Sequence, residues 1–399
     1  MAWGVLAGWV ELIVRWTHVV AAMAWIGASF YFVALDASLK PHPRLDARIK
    51  GEAWQVHGGG FYNMQKYQVA PDFLPPKMTW FMWEAYATWI FGFVLLVLVY
   101  YLHPTLYLID PAVAPLSPAL AVVIGLASLL AGWLIYDALC RSPLGRQPQR
   151  LAAVGFCLLV LAAFGYSRVF SGRGAFLHVG AMVGTLMVAN VAHIIIPNQR
   201  KVVAELLAGR TPDPALGERA KQRSVHNNYL TLPVVFAMVS NHYAFAYQTR
   251  WNWLVLTAVF VAGFLVRHWF NVEHTGGKPD WRLWPAAAVP LLAAAALTAW
   301  EQSHAQAGAA GAAPSFARVE GIVRERCQPC HSARPTFPGI DEAPQGVLLD
   351  TPERIVARAP QIMMQAVVTK AMPLGNLTGI TEGERDLLAQ WVKDGAAVR

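Results

Sequence analysis

The sequence predicts an all-α protein, an eight-span helical membrane bundle followed by a small soluble helical domain, and three observations carry that reading. Hydrophobic residues make up 56% of the 399-residue chain against 14% charged, a balance foreign to a soluble protein. Long apolar runs fill residues 1–301, whereas residues 316–399 have the mixed composition of an ordinary soluble domain. Between them, 302–315 contains "SHAQAGAAGAAP" (303–314), which is rich in Gly and Ala, has no hydrophobic period and reads as a flexible linker.

A bilayer core about 30 Å thick needs about 20 mostly apolar residues per helix. The segments 7–35, 78–102, 117–140, 151–168, 174–197, 228–247, 251–271 and 282–300 meet that need. Loops after the first, third, fifth and seventh carry most of the Lys and Arg, among them Lys40, Arg141, Arg200 and Lys278. The opposite loops offer only Arg168, Arg173 and Arg250. Positive loops stay cytoplasmic, so the N-terminus is expected outside, and an even number of spans returns the C-terminus to the same side. The net charge of +8 then reports topology and membrane lipid as a partner, and nucleic acid is set aside. The opening "MAWGVLAGW" has no basic stretch, so the first span reads as retained.

In the C-terminal domain, Phe316, Val319, Ile322 and Val323 are spaced for one helix face that leads into "CQPCH". Cys327, Cys330 and His331 form C-x-x-C-H, a c-type haem attachment signature, with the cysteines as thioether donors and His331 as iron ligand. Met372 is the expected sixth ligand, because Pro373 and Gly375 keep "TKAMPLGN" from being helical. Met363 and Met364 compete, but they fall in an apolar stretch where core packing is the ordinary role of Met. Zinc would need further ligands that this domain lacks. Leu387, Leu388, Trp391 and Val392 mark a closing helix, and the whole of 314–399 resembles a class I cytochrome c. Haem c is attached outside the bacterial cytoplasm, so motif and charge pattern separately place this domain in the periplasm, on a multi-pass inner-membrane anchor. Cys140 and Cys157 read as small, partly buried thiols.

Ionisable groups inside spans are costly and are candidates for function. Sorted by depth, His18, His178 and His242 form an outer layer, and His193, His226 and His268 an inner one. Facing imidazoles of this kind can bind haem b, and the outer three are the possible ligands. Helical geometry sets His178 and His193 about 60° apart and His226 and His242 about 160° apart, which argues against a four-histidine di-haem site. Hydrogen bonding between helices is the plainer role. Glu11 and Arg15 read as an interfacial ion pair.

The stretch 57–89 joins a Gly-rich turn, close aromatics, lysines and Glu84. Tyr62, Lys66 and Tyr67, with Asn227, Asn228 and Tyr229 at the inner start of the sixth span, are expected to hold a flat, hydrogen-bonding anion. His57, Glu84 and His226 are the candidate proton-transfer groups. An amphipathic loop resting on the membrane is the other reading of 57–89.

The stretches "RWTHVVAAMAWIGASFY" (15–31), "HGGGFYNMQKYQVAP" (57–71), "WFMWEAYATWIFGF" (80–93) and "HNNYLTLPVVFAMVSNHY" (226–243), with the haem segment, resemble the membrane-bound urate oxidase (urate hydroxylase) family. That resemblance covers essentially the whole chain. It implies oxidation of urate to 5-hydroxyisourate in purine breakdown on the cytoplasmic side. Electrons would pass through haem c to a respiratory acceptor, such as a soluble cytochrome or terminal oxidase, without peroxide release. The alternative expectation is a non-catalytic membrane cytochrome that relays electrons from quinol or a partner dehydrogenase.

Overall fold

The computed structural model describes residues 2–67, 75, 77–307 and 314–398. Helix α1 (Ala2–Ser38) leads into an antiparallel hairpin of β1 (Ile49–His57) and β2 (Gly60–Tyr67). The hairpin departs from the all-α expectation. Its cause is local: Gly58 and Gly59 both take positive φ, 59° and 79°, the two-residue turn whose twist matches that of paired strands. Within the 57–89 stretch, residues 68–74 and 76 lie outside the described residues.

Helix α2 (Trp83–Leu96) runs on through a π-turn to Tyr101, and α3 (Pro104–Tyr107) is a single turn. After α4 (Pro118–Arg141) and α5 (Pro148–Ser167), α6 (Gly172–Ala189) continues through the π-turn Asn190–Ile195 into α7 (Ile196–Leu207). Then α8 (Pro214–Val239), α9 (Ala244–Tyr247), α10 (Asn252–His274) and α11 (Leu283–Ala307) complete the bundle. Side-chain oxygens start the helices where the sequence supplies them. Ser117, Ser171 and Asp213 each accept a backbone N–H of the first turn, and Pro118 and Pro214 occupy positions where no N–H is needed.

Among the described residues seven helices are long and apolar enough to cross a membrane. They correspond to seven of the eight expected spans. The expected sixth, 228–247, is corrected: its helix is α8, which begins at Pro214 and carries Arg219, Lys221, Arg223, Asn227 and Asn228. These residues make it too polar to count by composition. It nevertheless runs the height of the bundle antiparallel to α6. Near its start Arg223 bonds Asn190 at the foot of α6, and just past its end Asn241 meets Arg173 at the head of α6. The Phe176 ring packs on Tyr247 of α9, so α6 and α10 begin at the same end and α8 is the return stroke. Helix α6 is the most enclosed of the apolar spans, while α1 and α11 turn Trp16, Met23 and Leu292 outward. Such unbroken apolar exteriors suit lipid.

The C-terminal domain packs α12 (Phe316–Arg326), α13 (Pro352–Ala357), α14 (Ala359–Ile362) and α15 (Glu382–Lys393) around one core of Val319, Val323, Ile355, Leu388 and Trp391. Helix α11 extends through Ala307, so the first part of the expected linker is helical; 308–313 lie outside the described residues. The domain rests on the bundle. Phe245, Thr249 and Glu301 face Val368, Thr369 and Lys370 across a cleft, and Gly375 lies so close to the Leu106 carbonyl that an added Cβ would sit 3.5 Å from it.

Candidate functional site

Helix α12 delivers the C-x-x-C-H motif as a tight turn: the Cys330 and His331 amides both donate to the Cys327 carbonyl, at 3.1 and 2.9 Å. Both thiols are free, and burial pushes that of Cys327 up to about 12 and that of Cys330 upward. Both therefore stay neutral at pH 7. His331 Nδ1 donates to the Val347 carbonyl at 3.1 Å, which leaves Nε2 with its lone pair. Met372 sits in a loop whose carbonyl accepts from Arg385 Nη1 at 2.9 Å, while the same nitrogen also donates to the Ala366 carbonyl. Arg385, on α15 and buried, thereby clamps the Met372 loop to the preceding turn. Of the competing methionines, Met363 packs on the domain core and Met364 is half exposed. Two free thiols in a turn, an imidazole with a bare Nε2 and a thioether in a clamped loop are the donors a covalent haem needs.

Within the bundle, the inner half of α8 meets two polar clusters. In the first, Asn190 Nδ2 donates to Asn227 Oδ1 at 2.8 Å and to the Tyr136 hydroxyl at 3.1 Å. Arg223, 3% exposed, donates to Asn190 Oδ1 and to Asp137 Oδ1, the latter at 2.7 Å, and His226 Nδ1 meets the Tyr136 hydroxyl at 2.7 Å. Every charge in this cluster has an opposite partner.

The second cluster differs. Asn228 Oδ1 accepts from Arg267 Nε at 2.8 Å and from Asn271 Nδ2 at 2.9 Å. Arg267 is 4% exposed and lies over the Phe30 ring, 3.9 Å from its centroid. Among the described residues it makes no ion pair, and Arg267 Nη2, Asn228 Nδ2 and Asn271 Oδ1 are all buried without a hydrogen-bond partner. A buried cation beside two half-satisfied amides is costly unless something else completes it. Glu84, at the start of α2, has Oε2 buried and unpartnered as well, at the end of the bundle where Phe81 packs on Phe32 of α1.

Nearer the C-terminal domain, a cavity of about 550 Å³, counting its open mouth, separates α1, α2, α6 and the end of α8. His18 and His242 both line it. His178 does not: it is fully buried, its Nδ1 meets the Gly174 carbonyl and its Nε2 the Tyr101 hydroxyl at 3.1 Å. The expected outer layer of three histidines is thus corrected to two around a cavity and one occupied in the core.

The family follows from the bundle. Residues 4–299 match the family described as urate oxidase N-terminal. The chain belongs to that family. No curated protein and no solved structure matches it. The match ends before the C-terminal domain, whose reading rests on its own residues.

For a urate oxidase N-terminal family member, the placement of the sequence-derived candidates sorts them. Asn228 joins the incomplete cluster; Asn227 and His226 belong to the complete one; Tyr229 bonds His268 at 2.8 Å. His57 and Tyr62 stand exposed near the hairpin tip, Tyr67 lies at its base, and Lys66 is held by Asp36, which also pairs with Lys221. The hairpin reaches the bundle through Tyr31 and Asp36 of α1, and no hydrogen bond, ion pair or ring contact among the described residues joins it to Asn228 or Arg267. Neither Arg267 nor Asn271 was among the sequence-derived candidates. The available signal was Arg and Asn four apart on one face of an apolar helix.

Proposed function

We propose that this chain oxidises urate to 5-hydroxyisourate at the inner half of the bundle and delivers the electrons to a haem c held by Cys327, Cys330, His331 and Met372, and from there to a respiratory acceptor. The observation that carries this, in a member of the urate oxidase N-terminal family, is the buried Arg267 guanidinium that lacks a carboxylate and sits between two unfinished amides. Urate is a flat anion bearing carbonyl oxygens and ring N–H groups. Arg267 Nη2 and Asn228 Nδ2 supply donors to its oxygens, Asn271 Oδ1 supplies an acceptor for a ring N–H, and the charge of Arg267 is balanced when urate enters. The Glu84 carboxylate, on the neighbouring α2, is the candidate proton acceptor.

The reaction balances with water: urate and H₂O give 5-hydroxyisourate, two protons and two electrons. When bound, a His- and Met-ligated haem supplies a one-electron acceptor of raised potential. The substrate end is read as cytoplasmic and the C-terminal domain as periplasmic. This is supported by the Lys and Arg of the loops and by the domain's seat at the bundle end whose connecting loops carry only Arg168, Arg173 and Arg250.

Air-free membranes containing the chain test the reading. Urate should bring up the reduced haem c bands and yield 5-hydroxyisourate. Reduction by quinol but not by urate would overturn it and establish a relay cytochrome.

A further inference from the structure

We propose that the outer cavity binds a second, non-covalent haem of the b type, with His18 and His242 as its axial ligands. His18 Nδ1 donates to the Thr88 carbonyl at 2.8 Å, the same device that leaves Nε2 of His331 bare, so its Nε2 keeps a lone pair for iron. The ring is seated by Gly92. A Cβ there would lie 2.7 Å from His18 Cε1, so any larger residue would dislodge it. His242, past the end of α8 and exposed at the cavity mouth, lines the same cavity, and among the described residues its ring makes no hydrogen bond.

The remaining lining matches the chemistry of the macrocycle. Leu95, Val99, Leu177 and Met238 present apolar surface to a porphyrin, while Arg15, ion-paired with Glu11, and Asn241, bonded to Tyr100 and Arg173, form its polar edge.

Tyr100 lines the cavity and packs on Tyr107 with ring centroids 5.9 Å apart, and Arg173 lies over both rings. Tyr107 belongs to α3, the turn on which the Met372–Asn376 loop of the C-terminal domain rests. At the other end, Phe30 beneath Arg267 is twelve residues along α1 from His18, about 18 Å at 1.5 Å per residue. The cavity therefore lies between the anion cluster and the C-x-x-C-H domain. The binding claim is independent of the substrate; its purpose rests on the urate reading. Urate loses two electrons, and two ferric haems, one b and one c, take one each to become ferrous.

Pyridine haemochrome spectra of the purified full chain test this. Wild-type protein should show b- and c-type haem in about equal amounts. His18→Ala and His242→Ala should each lose the b-type bands and keep the c-type bands, which report folded protein, whereas His178→Gln should lose neither. Should an alanine variant fail to fold, His242→Met should keep b-type haem with a raised midpoint potential. Wild-type protein with c-type haem alone, or retention of b-type haem with unchanged potential in the His18 and His242 variants, overturns the proposal. Normal b-type haem in protein that urate cannot reduce would instead refute the substrate reading alone.

Discussion

Replacing Arg267 by Met separates fold from function at the inner cluster. In the empty protein the guanidinium makes one charge-assisted hydrogen bond, to Asn228, worth about 1.5–3 kcal/mol, and a stacking contact with Phe30 worth about 0.5–2 kcal/mol. Against these stands the desolvation of a 4%-exposed cation that lacks an anion, a cost of several kcal/mol. The terms nearly cancel. Met keeps the apolar contact with Phe30, and Asn228 Oδ1 keeps its bond from Asn271, so Arg267→Met should melt within about 3 °C of wild type without urate. Urate binding should suffer. Loss of a charged contact worth about 1.5–3 kcal/mol weakens affinity roughly 10- to 150-fold. The assay is thermal melting of detergent-solubilised protein over a urate titration, since a ligand that binds only the folded state raises the melting temperature. Wild type should climb, and Arg267→Met should need roughly 10- to 150-fold more urate for the same rise. A variant that keeps urate affinity within about threefold refutes Arg267 as the anchor. A collapse of the urate-free melting temperature would refute the claim that the cation is uncompensated.

The neighbouring cluster predicts the opposite. Arg223 has its anion, so Asp137→Asn, which strands a buried guanidinium, should destabilise the bundle by about 3–5 kcal/mol, and an unchanged melting temperature would sink the ion-pair reading. In the C-terminal domain, burial opposes ionisation of Glu384, but hydrogen bonds from Thr381 and Arg326 outweigh it and hold the carboxyl below its ordinary 4.5. A depressed folded pKa stabilises above the unfolded value and is lost as pH falls. Glu384→Gln should therefore cost about 1 kcal/mol at pH 7 and progressively less as pH falls below 4.5, measured by melts of the full chain across that range; a cost independent of pH would count against it.

Seven spans could be read from hydropathy because lipid-facing helices such as α1 and α11 must be apolar along most of their length. For the sixth, hydropathy found the apolar part, 228–247, and missed the polar first half of its helix α8. Its polar residues are shielded by α4, α6 and α10, and partners such as Asp137 and Asn190 lie far away in sequence. The hairpin was legible: "QVHGGGFYN" joins two strand-prone stretches through Gly-Gly, a two-residue turn signal that the helical pattern around it obscured. Depth sorting grouped His18, His178 and His242, but only His18 and His242 share a cavity. Which of them had a free nitrogen depended on Tyr101 and Thr88, side chain and carbonyl of another helix, and no spacing within one helix encodes that.

The polarity of α8 also bears on how the protein is made. An Arg at the centre of an inserting helix costs about 2.5–3.5 kcal/mol, and α8 carries Arg223 among two asparagines and a histidine. Arg223 lies in the first half of α8, so less than that full cost applies to it, yet the segment inserts poorly by itself. Its compensating groups on α4 and α6 emerge from the ribosome earlier, whereas Arg267 and Asn271 of α10 emerge later. The chain therefore has to hold α8 against α4 and α6 during synthesis and complete the Arg267–Asn228–Asn271 cluster afterwards with α10, so that this cluster is among the last parts of the bundle to assemble.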